Sequence, residues 1–219
     1  MIEEEIKQGF QFSALLEDSP EHEERLASYE EMQRKIEEEK KQKIFEDSGV
    51  PMKFYKTRIT DWKAETDEEK EIIKKIYDFI NDPENKVYLL FGNNGTGKSM
   101  LAAAIIRELG GLYRNSSAIC IEYESSSDYR AEETKLSILK KYTTNKLLVI
   151  DECGKYTLKP DVEKFLLSYI VNNRYENNLP TILITNTDKR TIVEFMGRAT
   201  FDRLREVCIS IQFTGESRR

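Results

Sequence analysis

Apolar residues in this chain follow two patterns that take turns. Short, largely apolar runs at residues 87–90, 117–123, 146–152, 180–186 and 207–213 have the length of strands, and the third and fourth have the make-up of strands covered on both faces. Between them, apolar positions recur three and four apart, as on one face of a helix. These are Ile72, Ile73, Ile76, Tyr77 and Ile80; residues 100–109; residues 131–142; Val162, Phe165, Leu166, Tyr169 and Ile170; and two short pieces at 189–196 and 199–205 separated by Gly197. Local punctuation agrees with the periods. Thr66-Asp67-Glu68-Glu69 is a capping-box signature, Pro160 stands where a helix opens, and Gly110-Gly111 is a helix stop. Strands alternating with helices specify an α/β fold: a five-stranded parallel sheet flanked by helices, with its ligand at the carboxyl ends of the strands.

The chain before residue 49 departs from that rhythm. Ile2, Ile6, Phe10, Leu15 and Leu16 are loosely helical in spacing, and residues 21–45 mix Glu, Lys and Arg around a stripe of Leu26, Tyr29, Met32 and Ile36. Glu31/Lys35, Glu37/Lys41 and Glu39/Lys43 stand in the order that favours a helix. Because the stripe is too narrow to build a core, this helix reads equally as a charged spacer and as a docking element for a partner. Asp47-Ser48-Gly49-Val50-Pro51 interrupts it. The break separates a helical, highly charged N-terminal extension, residues 1–48, from a main domain, residues 49–219.

One junction carries most of the chemistry. Between the run ending at Leu90 and the helix beginning near Met100 stands Phe91-Gly92-Asn93-Asn94-Gly95-Thr96-Gly97-Lys98-Ser99, the pattern of a phosphate-binding loop. Its glycines let successive backbone N–H groups curl around phosphate oxygens, Lys98 reaches the β and γ phosphates, and the Ser99 hydroxyl can ligate Mg²⁺. Asn94-Gly95 alone would suit a hairpin turn, but a turn needs no Lys-Ser pair at this offset.

The third run ends in Asp151-Glu152. Asp151 stands where such a site keeps the acid that holds Mg²⁺, and Glu152 can accept a proton from the attacking water; two solvated acids ending a strand are the plain alternative. Asn186 closes the fourth run, in place to touch a γ phosphate or orient the water. Asp202-Arg203-Leu204-Arg205 lies too far on to reach its own nucleotide and suits an arginine finger delivered to a neighbouring subunit, with Arg198 competing and an ordinary surface arginine as the alternative. Arg218 or Arg219 can fold back over the phosphates as a second sensor. Trp62, the only tryptophan, suits core packing better than contact with a base.

Composition removes other classes. A chain of 219 residues has room for one α/β domain and an appendage. With 34% charged residues and a net charge of −6, it does not attract nucleic acid as a whole, so any such contact needs a local patch. Cys120, Cys153 and Cys208 are far apart and His22 is the only histidine, so buried free thiols are expected and no disulfide or zinc site. No apolar run approaches a membrane span and the start Met1-Ile2-Glu3-Glu4-Glu5 is the reverse of a secretory leader, which points to the cytoplasm.

Gly49-Val50-Pro51, the loop from Gly92 to Ser99, Leu148-Val149-Ile150-Asp151-Glu152-Cys153-Gly154, Arg174-Tyr175-Glu176-Asn177-Asn178-Leu179-Pro180-Thr181, Ile184-Thr185-Asn186, Phe201-Asp202-Arg203-Leu204 and Phe213-Thr214-Gly215-Glu216-Ser217 occur in this order. Together they resemble the DnaC/IstB-like branch of the AAA+ ATPases, which comprises replicative helicase loaders of bacteria and phages and the ATPase subunits of some transposons. The resemblance runs over residues 49–219. It implies an AAA+ P-loop NTPase that uses ATP and Mg²⁺, assembles with further copies of itself, holds a DnaB-type replicative helicase through its N-terminal region and helps place it on single-stranded DNA.

By the same match, Gly92, Asn93, Asn94, Gly95, Thr96, Gly97, Lys98 and Ser99 hold the nucleotide, and Ser99 and Asp151 hold Mg²⁺. Asp151 and Glu152 are the Walker B pair, Asn186 is sensor 1, Arg203 is the finger acting in trans and Arg219 is sensor 2. Single-stranded DNA would meet the segment from Tyr123 to Arg130, through Ser125, Ser126, Ser127, Tyr129 and Arg130. An IstB-like transposition ATPase and an adaptor that sequesters a host replication protein are the alternatives.

Two features depart from the branch. Residues 1–48 hold no cysteine, so the zinc-binding N-terminal domain of many such loaders is missing, and Arg198 and Arg203 stand five apart where the branch often has four. The compact size and the missing zinc domain point to a phage or mobile-element version.

Overall fold

A computed structural model describes residues 20–84, 86–126, 133–155 and 159–218. The expectations for residues 1–19, Ser127, Tyr129, Arg130 and Arg219 lie outside the described residues. The chain divides into two compact units, Met1–Lys43 and Ile44–Arg219. The described part of the first belongs to helix α1, Pro20–Asp47. Its stripe is shallow: Leu26, Tyr29 and Ile36 are half-buried and Met32 is 44% exposed. Glu31 pairs with Arg34 at 2.8 Å and with Lys35 at 3.4 Å, the second being an expected pair one turn apart.

The second unit holds strands β1, Val87–Gly92; β2, Leu112–Asn115; β3, Leu148–Asp151; β4, Thr181–Ile184; and β5, Cys208–Phe213. Its helices are α2, Asp67–Asn81; α3, Lys98–Leu109; α4, Ser116–Ser125; α5, Lys135–Thr144; α6, Pro160–Glu176; α7, Lys189–Met196; and α8, Arg198–Leu204. All five strands are parallel, in the order β2-β3-β4-β1-β5. The runs of β1, β3 and β4 are largely apolar because each of these strands feeds two cores. On β1, Tyr88 and Leu90 pack with α2 and α3, while Val87 and Leu89 pack with the helices of the other face; on β3, Val149 joins the first core and Leu148 and Ile150 the second. As β4 lies between β1 and β3, the loop after β1 and the acids ending β3 open onto one crevice.

The second strand is not where the apolar run placed it. Residues 117–123 are helical, in α4, and the strand is the short Leu112–Asn115 before them. The cause is a cap: the Asn115 side-chain oxygen accepts the Ser117 N–H at 2.9 Å, which starts a helix at the residue where a longer strand would have continued. Burial follows the helix, with Ile119 and Cys120 buried and Ile121 57% exposed. The helix expected at 131–142 is α5, whose start is capped by Thr134.

At the opposite end of the sheet, Arg174 is wholly buried. Its guanidinium donates to the carbonyls of Tyr142, Asn145 and Pro180 and to the Thr181 hydroxyl, joining the ends of α5 and α6 to the start of β4. Burial pulls its pKa down to about 10.

Candidate nucleotide site

β1 runs out at Gly92, and the loop after it takes conformations that side chains reject. Gly92 and Gly97 have φ of 122° and 95°. A Cβ would run into the Phe213 carbonyl at the first and into the Trp62 indole at the second, so glycine alone fits both. Trp62 is a buried core aromatic, as expected, packed edge-on against Phe213, and its Nε1–H donates to the Thr96 carbonyl at 3.0 Å. Lys98, the first residue of α3, is 4% exposed. Its Nζ donates to the carbonyls of Gly92 at 2.8 Å and Asn93 at 2.5 Å. Burial pulls its pKa down to about 8, with Asp151 opposing the shift.

Across the crevice, Asp151 is buried and both its oxygens are engaged. Oδ1 accepts the Glu152 N–H at 2.7 Å, and Oδ2 accepts the hydroxyl of Tyr113 on β2. Burial, then the Asp151 charge, pushes the Tyr113 pKa up, and the phenol stays a neutral donor.

Glu152 stands at φ 58°, a left-handed backbone uncommon for a residue with a side chain. Its carboxylate accepts from Asn115 Nδ2 at 2.5 Å and from Lys155 Nζ at 3.2 Å. The Asn115 bond first, and Lys155 after it, hold the Glu152 carboxyl below its ordinary pKa. The cap fixes which way the Asn115 amide faces: with its oxygen on Ser117 N–H, its NH₂ is left for Glu152.

These groups face a cleft of about 420 Å³ lined by residues 94–100, Asp151, Glu152 and Asn186, together with Lys53, Phe54 and Arg218. The expected loop residues from Asn94 to Ser99, the two acids and Asn186 are therefore brought together, and Gly92 and Asn93 join them through the bonds of Lys98. Arg203 and Arg198 do not line the cleft; both are exposed on α8, where Arg203 lies 3.6 Å from Glu176. Arg218 touches the loop more closely than the phosphate space. Its N–H donates to the Gly95 carbonyl at 2.9 Å, its guanidinium lies 4.2 Å from the Trp62 ring centre, and its side chain donates to the Lys63 carbonyl and to Glu69.

Sequence reasoning missed Tyr113, Asn115 and Lys53. Asn115-Ser116-Ser117 is a helix-start pattern that could have flagged the second. Among the described residues no three His, Cys, Asp or Glu side chains could cage a metal. The Ser99 hydroxyl and Asp151 carboxylate are nonetheless hard oxygen donors, as Mg²⁺ takes when phosphates complete its shell, so the donor set fits that ion.

A family model described as the ATPase family associated with various cellular activities (AAA) matches residues 88–208. The chain belongs to the AAA family of ATPases. The matched span includes the loop, both acids, Asn186 and Arg203, and leaves Lys53, Trp62 and Arg218 of this AAA ATPase outside it. The chain is 26% identical over 174 residues to the replicative helicase loader DnaC of Escherichia coli strain K12, covering 76% of this chain and 70% of DnaC.

It is also 30% identical over 150 residues to a protein of insertion sequence IS232 from Bacillus thuringiensis subsp. berliner, covering 64% of this chain and 58% of that one. The crystal structure of the DnaC helicase loader superposes with a TM-score of 0.65 at 19% identity, covering 75% of this chain and 100% of that one. DnaI superposes at 0.61 with 21% identity, covering 78% and 95%. The structural likenesses speak for the fold, and with the DnaC relation they bear out the resemblance to the DnaC/IstB-like branch. No described helix of this AAA protein is long and apolar enough to cross a membrane.

Proposed function

We propose that this AAA ATPase binds ATP and Mg²⁺ in the cleft beside Lys98, hydrolyses the nucleotide with Glu152 as general base, and uses the cycle to place a DnaB-type helicase on single-stranded DNA. The observation that carries the chemistry is the convergence of Asn94 to Ser99, Asp151, Glu152 and Asn186 on one cleft. The relation to DnaC supports the loader assignment. In this reading Lys98 exchanges its carbonyl partners for phosphate oxygens, which accept from it more strongly because they are charged. Ser99 and Asp151 hold Mg²⁺, which when bound neutralises charge on the β and γ phosphates.

Glu152, kept ionised, takes the proton of the attacking water, and Asn186 orients that water or touches the γ phosphate. Arg203 serves the nucleotide of a neighbouring copy. The extension 1–48 docks the helicase, and the segment beginning at Tyr123 meets the DNA strand.

Two experiments test this. Lys98→Ala and Arg203→Ala proteins, each expected to lose hydrolysis by ~10²-fold or more, should regain it on mixing, since the first still offers Arg203 to a nucleotide held by the second. Unchanged hydrolysis by Arg203→Ala, at concentrations where the protein assembles, removes the finger. Affinity capture with the full chain should retrieve the replicative helicase, and a chain starting at Gly49 should not; equal recovery removes the docking role of the extension. The likeness to the IS232 protein supports a second reading, a transposition ATPase, which predicts retrieval of a transposase and no helicase.

A further inference from the structure

Tyr88, Tyr113 and Tyr142 are buried, and a buried phenol needs an acceptor for its hydroxyl. Tyr88 donates to the Lys75 carbonyl at 2.7 Å and Tyr142 to the Glu122 carboxylate at 2.5 Å, neither of which lines the nucleotide cleft. Tyr113 donates to Asp151, which does. Core packing accounts for a ring at position 113. It does not account for a hydroxyl that ends on this carboxylate.

The sheet delivers the phenol there. Tyr113 stands opposite Val149 in the pairing of β2 with β3, and both side chains enter the core shared with α3. Asp151 is two residues beyond Val149, hence on the same face and one step nearer the cleft. A ring rooted at Tyr113 leans along the strand over that step and meets the carboxylate. The main chain beneath it is fixed as well. Tyr113 N–H donates to the Ser48 carbonyl at 2.8 Å, and Arg114 Nη1 donates to the carbonyls of Ser48 at 3.1 Å and of Tyr113 at 2.9 Å.

What the bond does follows from the capacity of a carboxylate. With Oδ1 on the Glu152 N–H at 2.7 Å and Oδ2 on Tyr113, the buried Asp151 side chain cannot turn without losing a bond. An ionised carboxylate has about four acceptor sites, so the others stay open in one set orientation. Carboxylates that ligate metals are oriented by such outer partners, whose loss weakens metal binding by roughly 10- to 100-fold.

We infer that Tyr113 is a positioning residue for the magnesium site: its phenol fixes the Asp151 carboxylate, so that the ion meets an acid already set. This rests on the proposal that Ser99 and Asp151 hold Mg²⁺.

The test takes full-length protein saturated with a fluorescently labelled, non-hydrolysable ATP analogue and titrates Mg²⁺ into it. In Tyr113→Phe, which keeps the ring, half-saturating Mg²⁺ should rise about tenfold or more, while affinity for the analogue in EDTA stays within about twofold of wild type. In an Asp151→Ala background Tyr113→Phe should add nothing, because the phenol acts through that carboxylate. Wild-type half-saturation in Tyr113→Phe, an equal loss of affinity in EDTA, or a full further rise in the Asp151→Ala background would each overturn the inference. If Tyr113→Phe does not fold, fluorotyrosine in place of Tyr113 serves instead: its fluorine resonance should move as Mg²⁺ is added to the analogue-bound protein, and one that ignores Mg²⁺ overturns the inference. The two claims separate in the titrations. A wild type whose binding of the analogue does not respond to Mg²⁺ loses the magnesium site itself, whereas a normal response left unchanged by Tyr113→Phe removes only the role of Tyr113.

Discussion

The loop wall and the acid wall of the cleft are built by different means. On the loop wall, from Gly92 to Ser99, the main chain lines the space, and its shape is set by glycines at φ angles other residues avoid, with Trp62 against Gly97 and the Phe213 carbonyl against Gly92. On the acid wall, side chains line the space and are held by other side chains: Asp151 by Tyr113, Glu152 by Asn115 and Lys155. A wall of main chain can be specified by eight consecutive residues. One made of side chains so held draws its specification from two neighbouring strands, and its parts should therefore fail separately. The loop wall should govern affinity and the acid wall the rate.

The larger expected effect that sharpens this contrast is at Asn115. Its replacement by Ala should reduce hydrolysis about tenfold, the scale of one charge-assisted hydrogen bond, with nucleotide affinity unchanged. The Asn115 bond is the largest cause of the lowered Glu152 pKa. Without it the carboxyl rises towards its ordinary value, and because only the ionised form accepts a proton, the acid limb of the pH–rate profile should move to higher pH. Asn115→Asp keeps a cap for α4 while replacing the donor by a charge that repels Glu152, so its rate should fall further. A loss of affinity in either variant, with the acid limb unmoved, would show that Asn115 supports only the fold.

The same contrast explains what was legible in the chain. Strand β1, the loop and the opening of α3 could be read because the pattern of a phosphate-binding loop is a run of consecutive residues between a strand and a helix. The ends of β3 and β4 could be read because strands covered on both faces are unbroken apolar runs that stop at Asp151 and near Asn186. β2 was lost for a physical reason: it is only four residues long, two of them half-exposed, while the more apolar stretch after it is a helix started by one asparagine cap. With β2 misplaced by a few residues, Tyr113 and Asn115 could not be seen as neighbours of Asp151 and Glu152, pairs 38 and 37 residues apart in sequence.

A smaller effect should appear on the loop wall, as a basic limb in affinity. Lys98 titrates at about 8 where a free lysine lies at 10.5, because burial penalises its charge. Phosphate binds the ammonium form, so affinity for Mg-ATP should be flat below neutral pH and should fall about threefold between pH 7.5 and 8.5 as the lysine discharges. Folding stability carries the opposite sign. A lysine with a depressed folded pKa contributes most above 10.5 and loses that contribution as pH falls through about 8, so the ligand-free protein gains from Lys98 over the range in which it loses nucleotide. Comparing wild type with Lys98→Met in calorimetric melts and in nucleotide titrations separates the two trends, and an alkaline loss of fold would lower both together. Asp151 is the group that holds this pKa up, so Asp151→Asn should draw the basic limb to lower pH. A limb that stayed in place would mean that the two walls do not sense each other's charge across the crevice.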